Sequence, residues 1–217
     1  MVVMDINWYG QACFRIKGKN ATVVVDPFDP EFTGLKFPKD LEADIILSSH
    51  AHRDHNFIEG IKGNPLLISG SGEYEKVGVS VTGVGTFHDD SGGEQKGKNT
   101  IYHFLIDGIN IVHLGDLGHV LTDEQVSGID RTDILMIPVG NGGATIGSES
   151  AVKVVAQLEP ALIIPMHYKL PDLKFDFEGV EPFLEEMGVK DINPVPKLVV
   201  TKDKLPAETT VILLSKS

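Results

Sequence analysis

The sequence predicts an α+β protein in which two β-sheets pack face to face with helices outside. Three observations lead there. Short runs rich in Val, Ile, Phe and Tyr recur through the first half, separated by Gly, Asn and Asp, which is the pattern of strands joined by turns. After Asp116 the texture changes, and helical periodicities alternate with short buried runs. His and Asp residues that could share one chemistry sit just past apolar runs, as expected where strand ends deliver loops to a common edge.

Residues 6–9, 13–16, 22–25 and 45–47 read as the first strands, followed by runs at 77–84, 101–106 and 109–114. Asp107-Gly108 between the last two is a hairpin signal, because both residues tolerate the positive φ of a tight turn. This half is expected to be mostly antiparallel. Thr122 with Gln125 forms a capping box that opens a short helix, and 134–139 reads as a buried strand. Ser148 is expected to cap a helix whose Ala151, Val154, Val155 and Leu158 make an apolar stripe, and Pro160 stops it before a strand at 161–164. A second helix over 180–187 ends at Gly188, and strand-like runs at 197–200 and 210–214 close the chain. No repeat or low-complexity linker interrupts the pattern, so one domain over residues 1–217 is expected.

Composition narrows the function classes. A 41% hydrophobic and 23% charged chain is an ordinary globular one, and no run approaches the roughly 18 apolar residues that cross a bilayer. The N-terminus enters a strand pattern without a basic segment and apolar secretory region, which predicts a cytoplasmic protein. Cys13 is the single cysteine, so no internal disulfide framework exists, and its neighbours Ala12 and Phe14 favour a core position over metal binding. A net charge of -12 opposes approach to nucleic acid phosphates and anionic lipid. The expected partner is a small-molecule substrate, with no nucleic acid and no membrane; a homo-oligomer is compatible with the chain.

The chemistry concentrates in His50-Ala51-His52-Arg53-Asp54-His55, directly behind the apolar run Ile45-Ile46-Leu47. Neutral imidazole and carboxylate suit zinc and similar divalent cations, and a turn leaving a strand can aim alternate side chains at two neighbouring ions. Three more strand-end residues fit the same chemistry: His88, Asp116 in Leu-Gly-Asp, and His167 in Pro-Met-His-Tyr.

With Trp8-Tyr9-Gly10-Gln11-Ala12, Val25-Asp26-Pro27, the His-rich loop, His88-Asp89, His113-Leu114-Gly115-Asp116 and Ile164-Pro165-Met166-His167-Tyr168, the chain resembles the metallo-β-lactamase superfamily over nearly its whole length. The resemblance is to small single-domain hydrolases similar to ascorbate-phosphate lactonases. It implies a four-layer αββα sandwich of two mixed sheets, with His50, His52 and His88 on one metal, Asp54, His55 and His167 on a second, and Asp116 bridging. Gln11 departs from related chains, which often carry His after that early glycine. Two divalent ions are implied; the nitrogen and oxygen ligands suit zinc first, with manganese, iron or nickel as alternatives. Asp54 and Asp116 are the carboxylates expected to take part in catalysis.

Five neutral imidazoles and two carboxylates around two dications leave a positive centre, which favours a small anionic substrate within an acidic protein. Two such ions make hydroxide available near neutral pH and polarise a substrate oxygen, so no nucleophilic Ser or Cys is needed. A metal-hydroxide hydrolase of small anionic esters or lactones is therefore expected. A small-nucleotide phosphodiesterase and a non-catalytic metal-binding or sensing module are the alternatives. Flavin-linked diiron relatives carry Glu in place of His52, and RNA-processing ones carry basic surfaces or an inserted domain; neither feature is present. Because imidazole must be neutral to coordinate, metal affinity is expected to fall below about pH 6.

Other residues have two readings each. Asp26 is either a strand-ending turn residue or a support for a ligand. His119 either touches substrate, orients a ligand or faces solvent, while His103 and His113 fit strand alternation alone. The glycine-rich segment 89–99 reads as a lid, on which Lys96 or Lys98 could meet an anionic substrate. Tyr168 and Lys169 are weaker choices for that contact.

Overall fold

Alternation along the N-terminal strands divides the apolar residues into two layers. In the computed structural model, which describes residues 3–217, β1 (Met4–Gly10), β2 (Cys13–Lys17), β3 (Thr22–Val25) and β4 (Ile45–Leu47) point Ile6, Trp8, Phe14, Val25 and Leu47 into the main core. Cys13, Val24 and Ile46 point the other way, into a smaller cluster with Phe28 and Leu41. That outer face is covered by loops and the four-residue helix α1 (Pro30–Thr33), rather than by long helices.

The remaining strands are β5 (Leu66–Ile68), β6 (Gly72–Lys76), β7 (Val79–Phe87), β8 (Lys98–Ile106), β9 (Ile109–His113), β10 (Ile134–Pro138), β11 (Leu162–Met166), β12 (Leu198–Val200) and β13 (Thr210–Val211). Two mixed sheets result, ordered β12-β1-β2-β3-β4-β5 and β13-β11-β10-β9-β8-β7-β6. Tyr102, Phe104 and Ile111 of the second sheet share the main core with Trp8 and Phe14 of the first, so the core lies between the sheets. On the second sheet, α3 (Ser148–Leu158) buries Ala151, Val154, Val155 and Leu158, and α4 (Glu181–Glu186) packs beside it through Phe183 and Leu184.

Strand direction places the loops. β3, β4 and β5 run parallel, as do β9, β10 and β11. β7 is antiparallel to β8 and β8 to β9, so β7 runs with β9. The carboxyl ends of β3, β4, β7, β9, β10 and β11 therefore emerge along one seam. Thr100 N–H donates to Ser49 O at 2.9 Å and His167 N–H to Gln11 O at 3.1 Å, stitching the sheets together there.

Most expected elements form, with local differences. The capping box of Thr122 and Gln125 opens the second helix, α2 (Asp123–Ser127). Ser148 does not cap α3; Gly147 is the N-cap and makes no side-chain bond, while Glu159 ends the helix with a left-handed backbone at φ 43°. The early strands are not uniformly antiparallel, because β3 to β5 pair in parallel. The run at 77–84 is not one strand. Val77 and Gly78, at φ 47° and 78°, form the two-residue turn between β6 and β7.

A two-residue turn with both residues left-handed suits Asn-Gly, whereas a β-branched residue there is strained by roughly 1–2 kcal/mol. Val77 is 48% exposed, so replacing it removes little packing. Val77→Asn is expected to raise stability by about 1 kcal/mol and the melting temperature by roughly 2–4 °C in thermal unfolding. An unchanged or lowered midpoint would contradict strain at this turn.

Candidate metal centre

Two glycines let the seam close. A Cβ on Gly118 would stand 2.3 Å from backbone atoms of His88 and Asp89, and one on Gly140 would stand 2.1 Å from the carbonyl oxygen of His167. The loops after β9 and β10 therefore pass directly against the backbones that carry two of the site histidines. Gln11, Asp26 and His167 hold left-handed backbones at φ 50°, 45° and 53°, a local cost of order 1–3 kcal/mol each that the surrounding structure must offset.

The seven side chains converge. His50, His52 and His88 offer ligand atoms that lie within 4.8 Å of one another, and so do Asp54, His55, Asp116 and His167. His50 Nε2 stands 3.0 Å from His52 Nδ1. Asp116 Oδ2 stands 3.1 Å from both His88 Nε2 and His55 Nε2, and Asp116 Oδ1 stands 3.3 Å from His167 Nε2. Ligands at about 2.0–2.1 Å in a tetrahedral shell sit roughly 3.3 Å apart, so these separations are those of donors turned toward a shared cation. His55 Nε2 and Asp116 Oδ1 are buried without a hydrogen-bond partner, as metal-facing atoms would be. Asp116 faces both groups. The donor set fits divalent metal ions.

A second layer of contacts fixes the imidazoles. Asp26 is fully buried and its Oδ2 lies 2.9 Å from His55 Nδ1; Asp26 also accepts from Ser49 N–H and Ser49 Oγ, both at 2.7 Å. Ser49 Oγ in turn lies 2.9 Å from His50 Nδ1. One carboxylate thus orients two of the histidines. Asn99 accepts from the Asp116 N–H at 3.0 Å and donates to Leu114 O and Thr86 Oγ1, holding the Leu-Gly-Asp turn. Neither Ser49 nor Asn99 was singled out from sequence; a hydroxyl beside the first His and an amide at a strand start carry no pattern of their own. Gln11 Nε2 lies 3.4 Å from Asp54 Oδ2 and 3.5 Å from His167 Nε2, so Gln11 reaches the site although it departs from the related pattern.

Burial and neighbouring charges set the protonation states. Burial, reinforced by His55, lowers His50 to about 3, and burial with His88 lowers His52, so both imidazoles are neutral. Burial alone would raise Asp116, but His167 and His55 hold it well below the usual carboxylate range. Asp54 behaves likewise, with His55 and His167 outweighing burial. His55 goes the other way: burial would lower it, yet Asp116, Asp54 and Asp26 raise it well above 6.5.

The remaining expected residues have definite places. His113 accepts from Gly115 N–H and its Nε2 lies 2.8 Å from Ala12 O, a structural role in the core. His119 accepts from Phe87 N–H, with Nδ1 2.8 Å from Val120 O, so it braces the strand end before His88. His103 Nε2 lies 3.2 Å from Asn110 Oδ1, outside the site. Tyr168 is buried with its ring 5.1 Å from Trp8; it belongs to the core, and contact with substrate is not the role its position gives it. Lys169 pairs with Asp176 at 2.8 Å.

A cleft of about 560 Å³ opens over the cluster, bordered by His52, Asp54, His88 and Asp116 and by Phe32, Phe175 and Phe177, the last with its ring 4.7 Å from that of His167. Arg53 also borders it but is tied to Asp29 at 2.5 Å. Lys96 reaches it from the 89–99 loop. That loop is pinned by its first residue. Asp89 accepts from the N–H groups of Ser91, Gly93, Gln95 and Lys96 at 2.7–3.1 Å, and from Ser91 Oγ at 2.9 Å.

A profile of the Beta-lactamase superfamily domain matches residues 5–167. The chain is 33% identical over 222 residues to the UPF0173 metal-dependent hydrolase of Thermoplasma acidophilum, covering 88% of this chain and 95% of that one. It is 32% identical over 198 residues to the Thermoplasma volcanium protein of the same description, covering 78% and 86%. A solved Thermotoga maritima structure, described as a candidate zinc-dependent hydrolase of the metallo-β-lactamase superfamily, is 38% identical, with TM-score 0.79 and coverage of 97% and 98%. An isothiocyanate hydrolase from Delia radicum gut bacteria, 16% identical at TM-score 0.67, shares the fold over 93% of this chain and 99% of its own.

His55 is protonated below its raised pKa and must lose that proton before Nε2 can coordinate a cation, so competition with protons extends above pH 6.5 and weakens metal binding as pH falls. The sequence alone placed this onset near pH 6. Calorimetric titration of metal-free protein with zinc at pH 7, in buffers of different ionisation enthalpy, is expected to show release of about one proton or more per chain. Binding with no proton release would contradict a protonated His55.

Proposed function

The chain belongs to the UPF0173 metal-dependent hydrolases of the metallo-β-lactamase superfamily, and on that premise we propose that it is a dinuclear hydrolase of small anionic esters or lactones. The observation that carries this reading is the carboxylate of Asp116, whose two oxygens face both groups of ligand atoms at the base of an open cleft. His50, His52 and His88 would hold one ion, Asp54, His55 and His167 the other, and Asp116 both. Bound there, two divalent ions supply Lewis acidity for a substrate oxygen and make water acidic enough to deprotonate near neutral pH.

The protein's own part is positioning and charge. Asp26 and Ser49 fix the rings of His55 and His50, and Asn99 fixes Asp116, so the site is set before substrate arrives. Asp54 and Asp116 remain ionised and balance the cations. Lys96 makes no ion pair among the described residues, whereas Arg53 beside it is neutralised by Asp29. Lys96 is therefore the unpaired cation bordering this cleft, open to an anionic substrate. Phe32, Phe175 and Phe177, which line the same cleft, would shed water from it.

Zinc heads the metal reading, supported by the nitrogen and oxygen donors and by the description of the Thermotoga maritima relative; manganese, iron and nickel are the alternatives. Among the described residues no helix is long and apolar enough to cross a membrane. The aromatic wall also favours a second reading, a small-nucleotide phosphodiester, because a base can stack on Phe175 or Phe177.

Metal-loaded protein assayed against lactones, carboxylic esters, phosphodiesters and thioesters is expected to favour an anionic ester or lactone. Asp116→Ala is expected to lower kcat/KM by about 10³-fold or more, since charge stabilisation worth several kcal/mol is lost at tenfold per 1.4 kcal/mol. Near-normal turnover in that variant, or uniform inactivity of the parent across the panel, would contradict the proposal.

A further inference from the structure

The aromatic cleft is not alone. A second cleft of about 770 Å³ lies beyond His50 and His52, between the segment 69–71 after β5 and the facing ends of β7 and β8. The two clefts share Ala51, His52 and Lys96 as common lining, so they meet beside the metal centre. Their linings differ in chemistry. The first carries Phe32, Phe175 and Phe177, with ring centroids 5.2 and 5.6 Å apart along the row. The second carries Lys96 and Lys98 with Ser69, Ser71, Thr100 and a single phenylalanine ring, Phe87, and among the described residues no carboxylate borders it. In a chain of net charge -12 that is a local reversal of sign. Neither lysine makes an ion pair among the described residues. Their backbones are fixed: Lys98 sits in β8 opposite Phe87, and Lys96 stands on the loop that Asp89 pins.

We propose that the two clefts bind the two halves of one substrate, an aromatic or otherwise apolar group against the phenylalanines and a carboxylate- or phosphate-bearing group at Lys96 and Lys98, with the bond to be cleaved lying over His52. This rests on the hydrolase reading and narrows it to esters or lactones whose two sides differ in polarity. Lys98 becomes a specificity-determining residue for the anionic side, and Phe175 for the apolar side. A substrate with two like halves would use the clefts less well, because an anion buried against the phenylalanines is unfavourable and an apolar half in the second cleft leaves both lysines unused.

Hippurate, the amide counterpart of a benzoyl ester of glycolate, joins a ring to a carboxylate across one acyl bond and serves as the probe. Benzamide lacks the carboxylate, and N-acetylglycine lacks the ring. On zinc-loaded full-length protein, calorimetry is expected to show hippurate binding at least tenfold tighter than either fragment. Lys98→Gln should weaken hippurate and N-acetylglycine about tenfold and leave benzamide unchanged. Phe175→Ala, or Phe175→Leu should the alanine variant lose thermal stability, should weaken hippurate and benzamide and leave N-acetylglycine unchanged. Wild-type affinity for hippurate in Lys98→Gln, or equal weakening of all three probes by either variant, would overturn the proposal. Because binding is read without turnover, selective binding combined with an inactive substrate panel would overturn the hydrolase reading and leave the cleft assignment standing; active turnover with unselective binding would do the reverse.

Discussion

The carboxylate of Asp116 is buried among imidazoles delivered by three other strand ends, and the rest of the structure is arranged around that burial. An ionised carboxylate taken out of water costs several kcal/mol unless positive charge meets it. Without metal, the proton on His55 meets part of that need, which is why Asp116, Asp54 and Asp26 raise its pKa so far. A divalent cation meets more of it. The fold supplies the convergence: β4, β7, β9 and β11 all end at one seam, and Gly118 and Gly140 let the loops there touch backbone to backbone. Left-handed backbones at Asp26 and His167 are local costs accepted to bring those side chains inward.

The convergence of the candidate ligands was largely legible in the sequence because each cluster follows a strand that hydrophobic pattern alone reveals. His50, Asp116 and His167 come after β4, β9 and β11, whose runs of Ile, Val and Leu leave little ambiguity. The supporting residues were less so. Asp26 was a two-way reading until its bonds to His55 and Ser49 decided it, and Asn99 lay in a segment that composition marks only as a loop. Tyr168 was drawn toward the site by its neighbour His167, but a strand end turns successive side chains to opposite sides, and Tyr168 faces Trp8. Among the elements, β5 spans three residues and β6 reads Gly-Glu-Tyr-Glu-Lys, too short and too polar for periodicity to register. Val77 hid the turn between β6 and β7, since a β-branched residue reads as strand.

The 89–99 loop, whose glycines read as a lid, is gathered by one side chain. Asp89 accepts from four backbone N–H groups and a hydroxyl, which fixes the backbone at Lys96 relative to His88. A loop already ordered around Lys96 would let that side chain meet an anion without the cost of loop ordering on binding. Lys96 also stands where the aromatic and the lysine-lined clefts meet, beside the candidate metal centre.

The proposed dinuclear centre, in which seven side chains hold two cations through a shared Asp116, is tested most directly by equilibrium dialysis of metal-free protein against saturating zinc, with bound metal counted by elemental analysis. Two ions per chain are expected; one ion at saturation, or none, would contradict a shared Asp116.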